Sequence, residues 1–174
     1  MRYLLIAIVV CICVASCSSQ RYYVVRHAEK LVITKDSAGM MASNPPLSEP
    51  GKVRSFVLRS ELQHKKISHI FSTNYLRTKS TAQPLSDTIG IPIVIYSPSR
   101  DSVTAFDARL KALKGNVLVV GHSNTVDDIV NKLTGRTDIP GDLSETEYDN
   151  LFIVTKKGKK WLFERKKYGY PSNP

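Results

Sequence analysis

Cysteine is confined to the start of this 174-residue chain: Cys11, Cys13 and Cys17 are present, and none follows. The rest of the chain therefore has no disulfide framework, no thiol nucleophile and no cysteine-based zinc site. Histidine is scarce as well. His27, His64, His69 and His122 are the full set, and no two have ligand spacing on one element, which disfavours a histidine zinc site. There is no internal repeat and no low-complexity block. Long apolar runs are missing but for one, Tyr3 to Ala15, which is too short for a comfortable membrane span.

Acidic residues are also in deficit. Fifteen Asp and Glu stand against 25 Lys and Arg, a formal net charge of +10. Such an excess suits a solvated surface, an anionic substrate or attraction to anionic lipid. Nucleic acid is not an expected partner, because the basic residues form no aromatic-interleaved stripe and no nucleic-acid motif is present.

The first residues, MRYLLIAIVVCICVASCSSQ, have one positive charge at Arg2, then the apolar run, then Val14-Ala15-Ser16-Cys17. This is the layout of a secretory signal. The small-residue pair before Cys17 resembles the lipobox of bacterial lipoproteins. That resemblance implies a removed signal peptide over 1–16, lipidation of Cys17, a linker over 17–20 and a domain over 21–174. It implies a place in the bacterial cell envelope, anchored to a membrane on the extracytoplasmic side. An uncleaved anchor and a plain signal are the alternatives. Removal of Arg2 leaves 24 basic against 15 acidic residues, a net +9.

Beyond residue 20, segments of β and α character alternate. RYYVVR (21–26) is β-branched and aromatic, a buried strand. Residues 28–46 read as a long loop. Ser48 caps a helix with Pro50 in its first turn. ISHIFS (67–72) is a strand, followed by a helix from Leu76 to Gly90 in which Pro84 marks a kink or an irregular start. IPIVIYS (91–97) is a third strand. A helix capped by Asp101 or Ser102 ends at Gly115, NVLVVGHS (116–123) is the strongest buried strand, and a helix closed by Gly135 follows. After a loop, residues 151–169 form a hairpin turning at Lys157-Gly158. Its lysines are expected to be solvated, with a membrane-facing patch as the alternative. The fold class is α/β: three layers, α/β/α, around a mostly parallel central sheet with an antiparallel C-terminal strand or hairpin.

Functional groups in such sheets gather at the carboxyl ends of the strands. The first strand delivers Arg26 and His27 there. The second delivers Ser72, Thr73 and Asn74, then Arg77. NVLVVGHS delivers His122, Ser123 and Asn124. Guanidinium forks match tetrahedral oxyanions. An imidazole with one nitrogen held by an acceptor can be a nucleophile at the other. Phosphoryl transfer needs positioning and charge neutralisation, which cationic side chains can supply without a metal.

VVRHAEK, LSEPG, STNYLRTKSTA and VVGHSNT, in that order, resemble the histidine phosphatase superfamily, also called phosphoglycerate-mutase-like, over roughly residues 21–168. The resemblance implies that His27 is the nucleophile, Arg26 and Arg77 clamp the phosphate, and His122 donates to the phosphoryl oxygens. LSEPG is then structural, and Ser72, Asn74 and Ser123 are candidate substrate contacts. His64 and His69 are expected only to pack or to face solvent. The proton donor is open among Glu29, Asp101, Glu145, Glu147 and Asp149, with Glu147 favoured.

The implied activity is a metal- and cofactor-independent hydrolysis of phosphomonoesters, acting on a phosphorylated small molecule. Alternatives are a phosphate-binding lipoprotein without turnover and a protein phosphohistidine phosphatase. The chain looks too short for a phosphomutase.

Overall fold

A computed structural model describes residues 19–32 and 43–172. The signal segment, Cys17 and most of the loop expected over 28–46 lie outside the described residues. The elements are β1 (Gln20–Arg26), α1 (Glu49–Leu62), β2 (Ile67–Ser72), α2 (Leu76–Ile89), β3 (Ile93–Ile95), α3 (Arg100–Ala112), β4 (Asn116–Gly121), α4 (Val126–Thr134), β5 (Asn150–Lys157) and β6 (Lys160–Lys167). The six strands form one sheet in the order β3-β2-β4-β1-β5-β6. The first four positions are mutually parallel, and β5 and β6 run antiparallel.

Period-two alternation along the central strands builds two cores at once. Tyr22 and Val24 of β1, with Val117 and Val119 of β4, face Phe106 and Leu110 of α3 and Ile129 and Leu133 of α4. Tyr23 and Val25, with Leu118 and Val120, face Leu58 and Leu62 of α1 and Ala82 and Leu85 of α2. Both faces of the sheet are thus covered by helices, as a parallel sheet requires. Among the described residues, every one buried in either core lies between Tyr22 and Tyr168.

Several boundaries differ from the sequence expectation. The third strand shrinks to three residues at the sheet edge, where Pro92 has no amide to contribute. Helix α2 runs through Pro84 without interruption in its assignment. Helix α3 starts one residue before Asp101, with Ser99 in the cap position, and Ser99 and Ser102 hydroxyls lie 2.7 Å apart. It ends at Ala112, before Gly115. The hairpin turns at Gly158-Lys159, with Gly158 at φ 60°.

The LSEPG segment locks α1 against the residues that follow β1. The Ser48 hydroxyl accepts the Gly51 amide at 3.3 Å, and the Ser48 amide donates to Glu29 O at 2.9 Å. A Cβ on Gly51 would sit 2.1 Å from that same Glu29 carbonyl. Gly51→Ala is therefore expected to cost about 1–3 kcal/mol in urea unfolding, because backbone must shift to admit the methyl. An unchanged midpoint would contradict this packing.

Candidate active site

The parallel register decides which side chains meet. Arg26 is level with Gly121, and the His27 amide extends the ladder to Gly121 O at 2.9 Å. Ser72 is level with Val120. The residues just beyond these pairs, His27, His122 and Thr73, therefore emerge side by side. The His27 and His122 rings are 5.5 Å apart, edge to face. Arg77, in the first turn of α2, joins them in a cleft of about 490 Å³ that Arg26, His27, Lys30, Tyr75, His122, Ser123 and Glu145 also line.

Each group is held in a specific state. His27 Nδ1 lies 2.8 Å from the Ala28 carbonyl. An N–H there donates to that oxygen and leaves the Nε2 lone pair free. Burial, opposed in part by that carbonyl and reinforced by Arg26, His122 and Arg77, lowers the His27 pKa to about 3. The His122 pKa falls to about 4, through burial first and then Arg77, Arg26 and Lys30. Both imidazoles are thus neutral near pH 7. His122 Nε2 is 2.9 Å from the Thr73 hydroxyl, which in turn contacts the Thr78 hydroxyl at 2.9 Å.

Arg26 is only 2 % exposed. Its Nη1 donates to Ser144 O at 2.7 Å and its Nη2 to Glu145 Oε2 at 3.1 Å. Its guanidinium lies 4.2 Å from the Tyr148 ring centroid, and that of Arg77 lies 4.4 Å from the Tyr75 ring centroid. Such stacking orients a planar cation without consuming its in-plane donors. Arg26 Nε and Arg77 Nε are buried with no hydrogen-bond partner among the described residues. Two unpaired buried donors beside a cleft fit an oxyanion ligand.

The carboxylate candidates separate cleanly. Glu145 faces the cleft, ion-paired to Arg26 and 3.7 Å from Lys30, and its Oε1 accepts the Ser123 hydroxyl at 2.9 Å. The Ser123 hydroxyl first, with Arg26 and Lys30, holds its pKa below the usual carboxylate range against a modest burial effect. The favoured Glu147 instead turns away to Arg165 at 2.8 Å and to the Ser144 amide. Asp149 is buried against Lys167 at 2.7 Å and the Ser172 amide. Glu29 forms a fork with Arg54, whose other donors hold Tyr168 O and Tyr170 O. Asp101 is exposed in the first turn of α3, away from the cleft lining.

Among the other candidates, Ser123 is at the cleft. Ser72 is fully buried and donates to Thr73 O, and Asn74 is exposed and accepts Lys79 Nζ. Neither lines the cleft. His69 contacts Lys114 O, and His64 is exposed. Thr73, Tyr75, Tyr148 and Lys30 are additions that sequence reading did not assign a role. The strand-end rule names Thr73 together with Ser72 and Asn74, but only those two are expected as substrate contacts. No signal marked the tyrosines. Among the described residues, no group of three or more His, Cys, Asp and Glu side chains is arranged to hold a metal ion.

Residues 22–98 match the sequence model of the histidine phosphatase superfamily (branch 1). No curated protein sequence matches the chain. The protein histidine phosphatase SixA, solved with tungstate, is 21 % identical with a TM-score of 0.65, covering 84 % of this chain and 96 % of that one. The ecdysone phosphate phosphatase of Bombix mori, also with tungstate, is 16 % identical with a TM-score of 0.60, covering 89 % and 94 %. Phosphoglycerate mutase from Bacillus anthracis is 15 % identical with a TM-score of 0.56, covering 85 % and 92 %. The chain has the fold of the histidine phosphatases.

The two neutral histidines make stability depend on pH. In the unfolded chain each takes up a proton below about pH 6.5, whereas in the folded cleft each resists protonation until about pH 3 to 4. Stability is therefore full above pH 6.5 and declines as pH falls from there toward 4. Replacing both by Asn should flatten that decline in phosphate-free buffer, by at most about 1.4 kcal/mol per pH unit for each histidine. Urea midpoints measured from pH 7 to 5 check this, and an unchanged slope would contradict it.

Proposed function

We propose that this chain is a member of the histidine phosphatase superfamily that hydrolyses phosphomonoesters through a phosphohistidine on His27, using no metal or other cofactor. The observation that carries the reading is the convergence of Arg26, His27, Arg77 and His122 on one cleft, with the His27 Nε2 lone pair left free by the Ala28 carbonyl. Membership is supported by the family match over residues 22–98 and by the shared fold. The location proposed with it is the bacterial envelope, with lipid on Cys17 as the tether.

The chemistry follows from the geometry. Arg26 and Arg77 take the phosphoryl oxygens and neutralise their charge. The neutral His27 attacks phosphorus through Nε2, the ester P–O bond breaks, and the leaving oxygen needs a proton. His122, held by Thr73, sits beside the transferring group and can stabilise its oxygens.

Asp142 and Glu145 both line the cleft, and Glu145, the one ion-paired to Arg26, serves the leaving oxygen in this reading. Before substrate binds, the Ser123 hydroxyl, with Arg26 and Lys30, keeps it ionised. A phosphate dianion on Arg26 competes for that guanidinium and brings negative charge beside Glu145. Both effects raise its pKa and let it take up the proton that it passes on. In the second half, Glu145 accepts a proton from water, which attacks phosphorus. The P–N bond then breaks, releasing inorganic phosphate.

Phosphohistidine in proteins is a second reading for the substrate. The likeness to a protein histidine phosphatase favours it. A higher kcat/KM on a phosphohistidine peptide than on any phosphosugar, nucleotide or phosphoamino acid ester would select it.

His27→Asn should lower kcat/KM on p-nitrophenyl phosphate by at least about 10⁴-fold. Arg77→Ala should lower it by about 10²–10³-fold. Undiminished activity in His27→Asn would remove the nucleophile assignment. Glu145→Gln should lower kcat/KM about 10²-fold on an alkyl phosphate. It should spare kcat/KM on p-nitrophenyl phosphate, whose nitrophenolate leaves without a proton, because kcat/KM does not include hydrolysis of the phosphohistidine. Equal losses of kcat/KM on both esters would remove Glu145 as proton donor to the leaving oxygen.

A further inference from the structure

At the end of the sheet opposite the cleft, β1 begins at Gln20, level with Lys156 of β5. Gln20 Nε2 donates to Leu113 O at 3.1 Å, and the Arg21 amide donates to Asn116 Oδ1. Asn116 Nδ2 in turn donates to Lys65 O at 2.7 Å. These bonds tie three connections to one face: the α1–β2 turn, the α3–β4 turn and the β5–β6 hairpin tip. What they bring there is lysine: Lys65, Lys114, Lys156, Lys157, Lys159 and Lys160, all exposed except the half-exposed Lys156. Asp107, on the neighbouring helix, is already paired with Lys111 at 2.9 Å. Ser19, Gln20, Leu113, Lys114, Lys156 and Gly158 line a shallow depression at the centre of the face.

Charge and connectivity agree on what this face meets. Cys17 lies three residues before Gln20, so a lipid there could be no more than about 10 Å from the face. The cleft is at the far end of β1, whose seven residues span about 20 Å. We propose that the lysine-rich face at the amino ends of the parallel strands is a docking surface for an anionic membrane, and that it holds the cleft pointing away from the lipid. The orientation rests on the Cys17 tether proposed above, while the affinity of the face for anionic lipid does not.

Residues 19–174, which contain every described residue of both cores, should sediment with vesicles of phosphatidylcholine and phosphatidylglycerol but not with phosphatidylcholine alone. High salt should release them. The variant Lys156→Gln/Lys157→Gln/Lys159→Gln/Lys160→Gln should bind at least about tenfold more weakly. Removing four charges elsewhere, Lys52→Gln/Arg59→Gln/Lys79→Gln/Lys166→Gln, should change binding by no more than about threefold. If the hairpin variant does not fold by circular dichroism, Lys65→Gln/Lys114→Gln tests the same face.

Trp161, the one tryptophan of the chain, pairs with Lys156 and should be quenched by headgroup-labelled anionic lipid. Equal binding to neutral vesicles, equal losses in the two charge variants, an unquenched Trp161 on bound vesicles, or lysine-dependent RNA binding without vesicle binding would each overturn the proposal. None of these measurements depends on phosphatase turnover or on lipidation of Cys17, so those readings stand or fall separately.

Discussion

The parallel pairing of β1 with β4, Arg26 level with Gly121, is the constraint on which the rest of the site depends. It sets the residues beyond the two strands side by side, so His27 and His122 meet although 95 positions separate them. A one-residue slip would reverse which side chains face each core. The apolar alternation of Tyr22 to Val25 against Val117 to Val120 fixes the register, because both cores fill only in one phase. Packing of the sheet thereby determines the spacing of the two cleft histidines.

Burial and charge act together in the cleft. Arg26 is buried, and a buried cation is costly unless it is paired and hydrogen-bonded. The carbonyls of the Ser144–Glu147 loop and the carboxylate of Glu145 engage its two terminal nitrogens, with Tyr148 stacked on the guanidinium face, and Nε is left without a partner among the described residues. Burial first, and then that same positive environment, keeps His27 and His122 unprotonated. A neutral nucleophile beside two fixed cations suits attack on a dianion, because substrate charge is balanced without protonating the attacking nitrogen.

Much of this was legible in sequence, for identifiable reasons. The fold class follows from alternating strand and helix patterns, and the convergence of Arg26, His27, Arg77 and His122 follows from the rule that strand carboxyl ends share an edge. The carboxylate was not legible. Glu145, Glu147 and Asp149 alternate along one loop, and only its turn, closed by the Glu147 amide on Ser144 O, decides that Glu145 faces Arg26 while Glu147 faces Arg165. Ser72 and Asn74 failed as cleft residues for a similar reason. Ser72 is buried as the last residue of β2, Asn74 is exposed beyond the strand's end, and it is Thr73 between them that reaches His122. Glu29 reads locally as a neighbour of the nucleophile, yet its partner Arg54 is 25 positions away.

The central claim is a covalent phosphoryl group on His27. Rapid acid-free quenching during turnover of a phosphomonoester, followed by peptide mass spectrometry, tests it most directly. The phosphohistidine mechanism predicts one phosphoryl group on the peptide containing His27, stable to base, labile to acid and missing from His27→Asn. Sustained turnover with no phosphorylated His27 at any quench time, or with the label on another residue, would contradict it.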